Sequence, residues 1–166
     1  MEWTDTMMLE PTRKISITDS QRSLSCARVI TVQGVTLLQV EDKSSAGIDS
    51  ALEVLRGFRA IGRHVVLCDT TDLVVGRQFG KRVVECGTAE LLVSCGLSGR
   101  EIAIGARDAG LSLANVVVCS QAMAATEVMA SRLVPGDTIL LLGVNSELSE
   151  HLVAAIDERL SVKLAA

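Results

Sequence analysis

The sequence predicts an α/β fold: a mostly parallel sheet with helices on both faces, opened by an N-terminal antiparallel hairpin. Three observations predict it. The run Leu133–Ser146 passes from a helix end through Pro135-Gly136-Asp137 into Ile139-Leu140-Leu141-Leu142 and on to a new helix start. Pro135 cannot continue a helix, and four apolar residues without alternation read as a strand covered on both faces, hence parallel. Similar runs recur at Val65–Cys68, Leu91–Cys95 and Val116–Cys119, separated by segments of helical periodicity. Finally, two β-rich runs flank Gln33-Gly34, a pair suited to a tight hairpin turn.

Taken in order, residues 1–25 are polar and aperiodic, with Pro11 and scattered Ser and Thr, and read as an extension; residues 26–166 form the domain. Ala27–Val32 and Val35–Val40 are the hairpin strands. Ile48, Leu52 and Leu55 recur at helical spacing until Gly57 and Gly62 interrupt, and His64–Cys68 is a strand. Phe79 and Val83 mark a helix ending near Gly87, before the strand Leu91–Cys95. Ser98-Gly99-Arg100-Glu101 has the form of a capping box, opening a helix lined by Ile102, Ala103, Ala106 and Ala109 and ended by Gly110. After the strand Val116–Cys119, Ser120 is placed to cap a helix reaching Leu133. The last helix carries Leu148, Leu152, Ile156 and Leu160 in steps of four.

A chain of 166 residues with 48% apolar and 22% charged residues is sized for one core. Its apolar runs are too short to span a bilayer, and no basic stretch followed by an apolar one opens the chain, so a cytoplasmic, membrane-free protein is expected. Cys26, Cys68, Cys86, Cys95 and Cys119 are odd in number and show no C-x-x-C pair; they read as reduced, buried thiols. A formal charge of -4 without a long basic run excludes nucleic acid as an expected partner. Arg77, Lys81 and Arg82 share part of one helix surface and read as a solvated face. The only aromatic residues are Trp3, Phe58 and Phe79, so base-stacking platforms are missing too.

Ligands on such sheets sit beyond the carboxyl ends of the strands, which confines the candidate site to Asp69–Gly76, Gly96–Ser98 and Gly143–Ser146. Asp69, Thr70 and Asp72 follow the strand ending at Cys68, where a carboxylate could meet a ribose, an ammonium group or a metal; Asp also serves routinely as a turn or cap residue. Gly143, Asn145 and Ser146 stand where a strand enters a helix, so backbone N–H groups there could hold an anion. Glu147 and Glu150 already complement the positive helix end and would repel a phosphate, which favours capping by Asn145 or Ser146. Gly76–Arg82 superficially suggests a phosphate loop, but it has three residues between its glycines instead of four and Arg82 in place of a hydroxyl residue after Lys81. No G-x-G-x-x-G follows a strand. His64 and His151 lack Cys or Asp partners at ligand spacing and read as structural or surface residues, so no metal site and no catalytic residue are assigned.

In order, these residues resemble the C-terminal, Rossmann-like domain of the Mur ligases, most closely the family adding D-alanyl-D-alanine to the UDP-N-acetylmuramoyl-tripeptide. The resemblance covers about residues 27–160. Val66–Leu73 is similar to the family's V-L-G-D-M-x-E-L-G segment, Ile102–Leu111 to its A-x-x-x-G-A-x-x-A-G-L helix, and Leu133–Val144 to its L-x-P-G-D-x-x-L-x-K-G-S segment; the hairpin leads to the remaining landmark. Asp69 matches the family's Asp, and Asp72 is a shortened counterpart of its Glu. Departures are as informative. Glu41–Ser50 lacks the family's Tyr and Asn residues, Leu142 stands where the family has Lys, and Val144 where it has Ser.

The resemblance implies a module linked to peptidoglycan precursor synthesis. The ATP-binding and UDP-binding domains that ligation needs are not among these residues, so the chain by itself is expected to be a non-catalytic binding or accessory module without a cofactor. ATP and Mg enter only if the full ligase is present, the chain then being the C-terminal part of an ATP-dependent amide-bond ligase. Expected partners are Mur ligase domains or other cell-wall synthesis enzymes. Two other readings stay open: a free-standing nucleotide or small-metabolite binder, and a scaffold that self-associates through the hairpin edge or an apolar helix face.

Overall fold

The unalternating apolar runs Val65–Cys68, Leu91–Cys95 and Ile139–Leu142 become interior strands of the sheet, whereas Val116–Cys119, of the same pattern, lies at its edge and is only partly covered. The computed structural model describes residues 27–58, 61–71 and 76–164; the calls on residues 1–25, Cys26 and Asp72 lie outside them. The elements are β1 Ala27–Val32, β2 Val35–Val40, α1 Ser45–Gly57, β3 His64–Asp69, α2 Arg77–Glu85, β4 Leu91–Cys95, α3 Gly99–Asp108, a 3-10 turn Leu113–Asn115, β5 Val116–Cys119, α4 Ala122–Arg132, β6 Thr138–Leu142 and α5 Ser146–Leu164. The strand order is β1-β2-β6-β3-β4-β5. β1 and β2 pair antiparallel, and the other neighbours run parallel. This is the predicted α/β architecture.

Gln33 (φ 48°) and Gly34 (φ 79°) both adopt positive φ, the condition of a type I′ turn, whose twist matches that of the two strands it joins. All five residues of β4 and all five of β6 are buried, as the missing alternation requires. One face of the sheet packs on α1, α2 and α3 through Leu52, Leu55, Phe79, Val83, Ile102 and Ala106. The other packs on α4 and α5 through Ala125, Met129, Leu152 and Ile156. β5 is an edge strand, with Val118 49% exposed.

Three local expectations are corrected. Ser98 adopts φ -98° and ψ 7°, not the extended backbone of a capping residue, and its side chain makes no cap bond. Glu101 instead meets Arg77 at 3.2 Å, so the capping box does not form. The cap position of α4 is Gln121, one residue after Ser120, again without a side-chain cap bond. Cys68, Cys95 and Cys119 are buried, but Cys86 is exposed at the end of α2.

The Pro-Gly-Asp turn has a structural role that sequence reading did not reach. The Asp137 carboxylate is fully buried; it accepts from the backbone N–H of Arg63 at 2.9 Å and of Val134 at 3.1 Å, and pairs with the Arg63 guanidinium at 2.8 Å. That carboxylate raises the Arg63 pKa above its ordinary value. Gly136 N–H donates to Gly34 O at 2.8 Å, and Gly136 O accepts from Gly62 N–H at 2.9 Å, so one turn ties the amino ends of β3 and β6 to the hairpin.

Candidate functional site

The chain leaves β3 toward α2 on one face of the sheet and leaves β6 toward α5 on the other. The carboxyl ends of these two adjacent strands therefore diverge, and the crevice between them is the position where such sheets receive ligands. Cys68 and Leu142 are register partners at its base. Asp69 and Thr70 lie on one side; Gly143, Asn145 and Ser146 lie on the other.

On the β3 side both polar side chains are occupied within the chain. Asp69 is 6% exposed, and its Oδ1 accepts from Thr71 N–H at 2.9 Å and from the Thr71 hydroxyl. This is an Asx turn, the local role weighed against ligand binding for this residue. The buried Thr70 hydroxyl donates to Cys95 O at 2.7 Å and accepts from Ser98 N–H at 3.1 Å. Thr70 thereby fastens the loop after β4 to the end of β3.

On the β6 side Gly143 turns the chain with φ 68° and is itself buried. Val144 is buried in the core facing α5, and Leu142 in the core facing α1. Asn145 caps α5: its Oδ1 accepts from Leu148 N–H at 2.8 Å, and its carbonyl accepts from Ser149 N–H at 3.0 Å. Ser146 is the exposed first residue of α5, with Glu147 in the same turn. A further polar group reaches this end: Gln39 of β2, 7% exposed, donates to Val144 O at 3.5 Å, while its Oε1 has no partner among the described residues. The signal that could have found it is a lone amide on the strand face that also carries Val35 and Leu37.

The thiols behind the crevice are unreactive by environment. Burial pushes Cys68 well up and Cys95 up to about 12, with the nearby Asp69 charge adding to both, and burial raises Cys119 as well. His64 bonds Thr88 Oγ1 at 2.7 Å and Phe58 O at 3.0 Å, and His151 meets Glu127 at 3.2 Å; both hold structural or surface contacts. The Gly76–Arg82 run opens and forms α2. Arg77 pairs with Glu101 and Arg82 with Asp49, and a Cβ on Gly80 would run into the α3 backbone, 2.8 Å from Ala106 N. Its second glycine serves helix packing.

Among the described residues the crevice has no basic side chain at the end of β6, where the exposed Ser146 carries the hydroxyl, and Oδ1 of its β3 carboxylate is engaged by Thr71. These residues do not fit a nucleotide phosphate with its magnesium.

No protein-family model and no curated protein matches this chain. Solved structures do. A domain attributed to a UDP-N-acetylmuramate:L-alanyl-gamma-D-glutamyl-meso-diaminopimelate ligase of Haemophilus ducreyi aligns with TM-score 0.60 at 11% identity, covering 78% of this chain and 98% of that one. The murein peptide ligase Mpl of Psychrobacter arcticus aligns with TM-score 0.55 at 13% identity over 82% of this chain and 30% of its own length. The MurF ligase of Thermotoga maritima, solved with ADP, gives 0.50 at 17% identity over 81% and 31%. The chain thus has the fold of a Mur ligase domain and spans about a third of the longer ligases it matches.

Proposed function

We propose that the protein is a Mur ligase C-terminal-type module linked to peptidoglycan precursor synthesis, acting in the cytoplasm as a non-catalytic binding or accessory module. The observation carrying this reading is the β3/β6 crevice: the ligase-like frame surrounds a site whose Asp69 and Thr70 are bonded internally and whose β6 end packs Leu142 and Val144 into the two cores. A ligand reaching the crevice would meet the exposed Asn145 and Ser146 together with the backbone after Gly143. The partners proposed are Mur ligase domains or other cell-wall synthesis enzymes. Affinity purification of the full chain from its native organism tests this; Mur enzymes are expected to come with it, and their absence would sink the reading.

A second reading is favoured by the share of the longer ligases that the chain spans, 30% and 31%. There it is the C-terminal part of an ATP-dependent ligase adding D-alanyl-D-alanine to the UDP-muramoyl-tripeptide, with ATP and Mg held by other domains. The mass of the native gene product separates the two, a parent of about three domain lengths supporting the second. Calorimetric titration with ADP, ATP and D-alanyl-D-alanine addresses a free-standing metabolite binder; absence of heat with all three is the outcome expected of the accessory module.

A further inference from the structure

We propose that the chain forms a twofold homodimer in which β1 pairs antiparallel with β1 of a second copy, Ile30 facing its own symmetry mate. The surface concerned is a groove of about 410 Å³ between β1 and α5, lined by Arg28, Ile30, Val32, Val153, Ala154 and Asp157 among others. It lies at the sheet edge, where no strand among the described residues pairs with the outer side of β1. α5 carries two stripes: Leu152, Ile156 and Leu160 are buried in the core, while Glu150, Val153, Ala154 and Asp157, at helical spacing, overhang the edge. An open edge beside an apolar groove is a template for strand addition.

Backbone geometry restricts the partner strand. In a two-residue type I′ hairpin the residues flanking the turn, Val32 and Val35, exchange hydrogen bonds, so Ile30 and Arg28 also bond inward to β2. The outward N–H and C=O groups then belong to Ala27, Val29 and Thr31. A second β1 must set outward residues against outward ones, which keeps the side chains of Arg28, Ile30 and Val32 on the groove side in both copies. One such register pairs Val29 with Thr31 of the second copy and Arg28 with its Val32.

Charge selects a second copy as the occupant. Gln33, next to Val32, donates to Asp157 Oδ1 at 2.7 Å, so Asp157 marks the Val32 end of the groove. Pairing Arg28 with Val32 of the second copy therefore brings its guanidinium to that copy's Asp157. Symmetry makes the contact twice, with the apolar residues of both grooves between the two ion pairs.

Sedimentation equilibrium of the full chain across a wide concentration range tests this. A monomer–dimer equilibrium is expected, and Thr31→Pro should abolish the dimer, because it removes an outward donor that β2 does not use. Arg28→Glu and Asp157→Arg should each weaken association about tenfold and the double swap should restore it, a pattern that a folding defect in the proline variant cannot mimic. Ile30→Cys, in a chain with Cys26 and Cys86 replaced by Ser, should oxidise to a disulfide-linked dimer, since a non-hydrogen-bonded pair holds its Cα atoms about 4.5 Å apart. A chain that stays monomeric, as it would if its own N-terminal residues filled the groove, overturns the proposal. So does a dimer that ignores the charge swap.

Discussion

Gly105→Ala is the substitution whose effect is most at odds with its local chemistry. In a helix interior Ala is preferred to Gly by about 1 kcal/mol, so propensity alone predicts stabilisation. Gly105 lies in α3 against α2, and a Cβ there would stand 2.7 Å from the Arg77 carbonyl carbon and 3.0 Å from its Cα, at or below a limit that real Cβ atoms essentially never cross. The obstacle is backbone, so the helices must part by roughly 1 Å, which forfeits up to about half of the dispersion attraction across the seam. Phe79 and Val83 of α2 and Ile102 and Ala106 of α3 are buried beside it. Overpacking a seam of this kind costs about 3 kcal/mol, leaving a net loss of about 2 kcal/mol after the propensity gain and a fall in melting temperature of roughly 4–8 °C. Gly57→Ala is the internal control: that glycine ends α1 with nothing within 4 Å of an added Cβ, so it should gain about 0.5 kcal/mol. Urea unfolding followed by far-ultraviolet circular dichroism reads both, because the single Trp, Trp3, lies outside the described residues. If Gly105→Ala were as stable as Gly57→Ala, the close crossing of α2 and α3 would be refuted.

Asp137→Ala should cost about 3 kcal/mol in the same urea assay, since it strips a fully buried acceptor from two backbone donors while Arg63, one-third exposed, can return to water. A loss under about 1 kcal/mol would show that the turn does not hold the strand ends. Leu142→Lys sets a charge among buried apolar side chains and should destabilise by several kcal/mol without creating nucleotide affinity; a stable variant that binds ADP by calorimetry would contradict the packed crevice. The raised thiols give a signed pH dependence. Cys68, Cys95 and Cys119 keep their protons in the folded chain after unfolded thiols have lost theirs, so their contribution is fully present below about pH 8.5 and is lost as pH rises toward the folded values. Urea midpoints should fall above about pH 9, and replacing Cys68 with Ala should shallow that fall; a midpoint that rises with pH there would refute the assignment.

The sheet was legible because its determinants are local. A strand buried on both faces leaves an apolar run without alternation, as at Ile139–Leu142, and a two-residue turn needs positive φ at both positions, as at Gln33-Gly34. What could not be read depends on distant partners. Ser98 has the right residue type for a cap, but its backbone N–H is drawn to Thr70, 28 residues earlier, and its own backbone leaves the capping conformation. Gly80 follows Gly76 in a run superficially like a phosphate loop, and only the α3 backbone shows why it is glycine. Asp69 and Asp137 each stand at a strand end with nothing local to separate them: the first is satisfied by its neighbour Thr71, the second by Arg63, 74 residues away.

That contrast between the two aspartates bears on function. The amino ends of β3 and β6 are locked by a buried carboxylate, a guanidinium and three backbone segments, so the frame is secured away from the crevice. At the carboxyl ends, Leu142 and Val144 each join a core, one on either face of the sheet. Apolar side chains there gain burial worth about 25 cal/mol per Å², whereas a lysine or an unpaired hydroxyl in the same places would have to be desolvated. The fold therefore needs no polar group at these two positions, and the apolar residues there add to its stability.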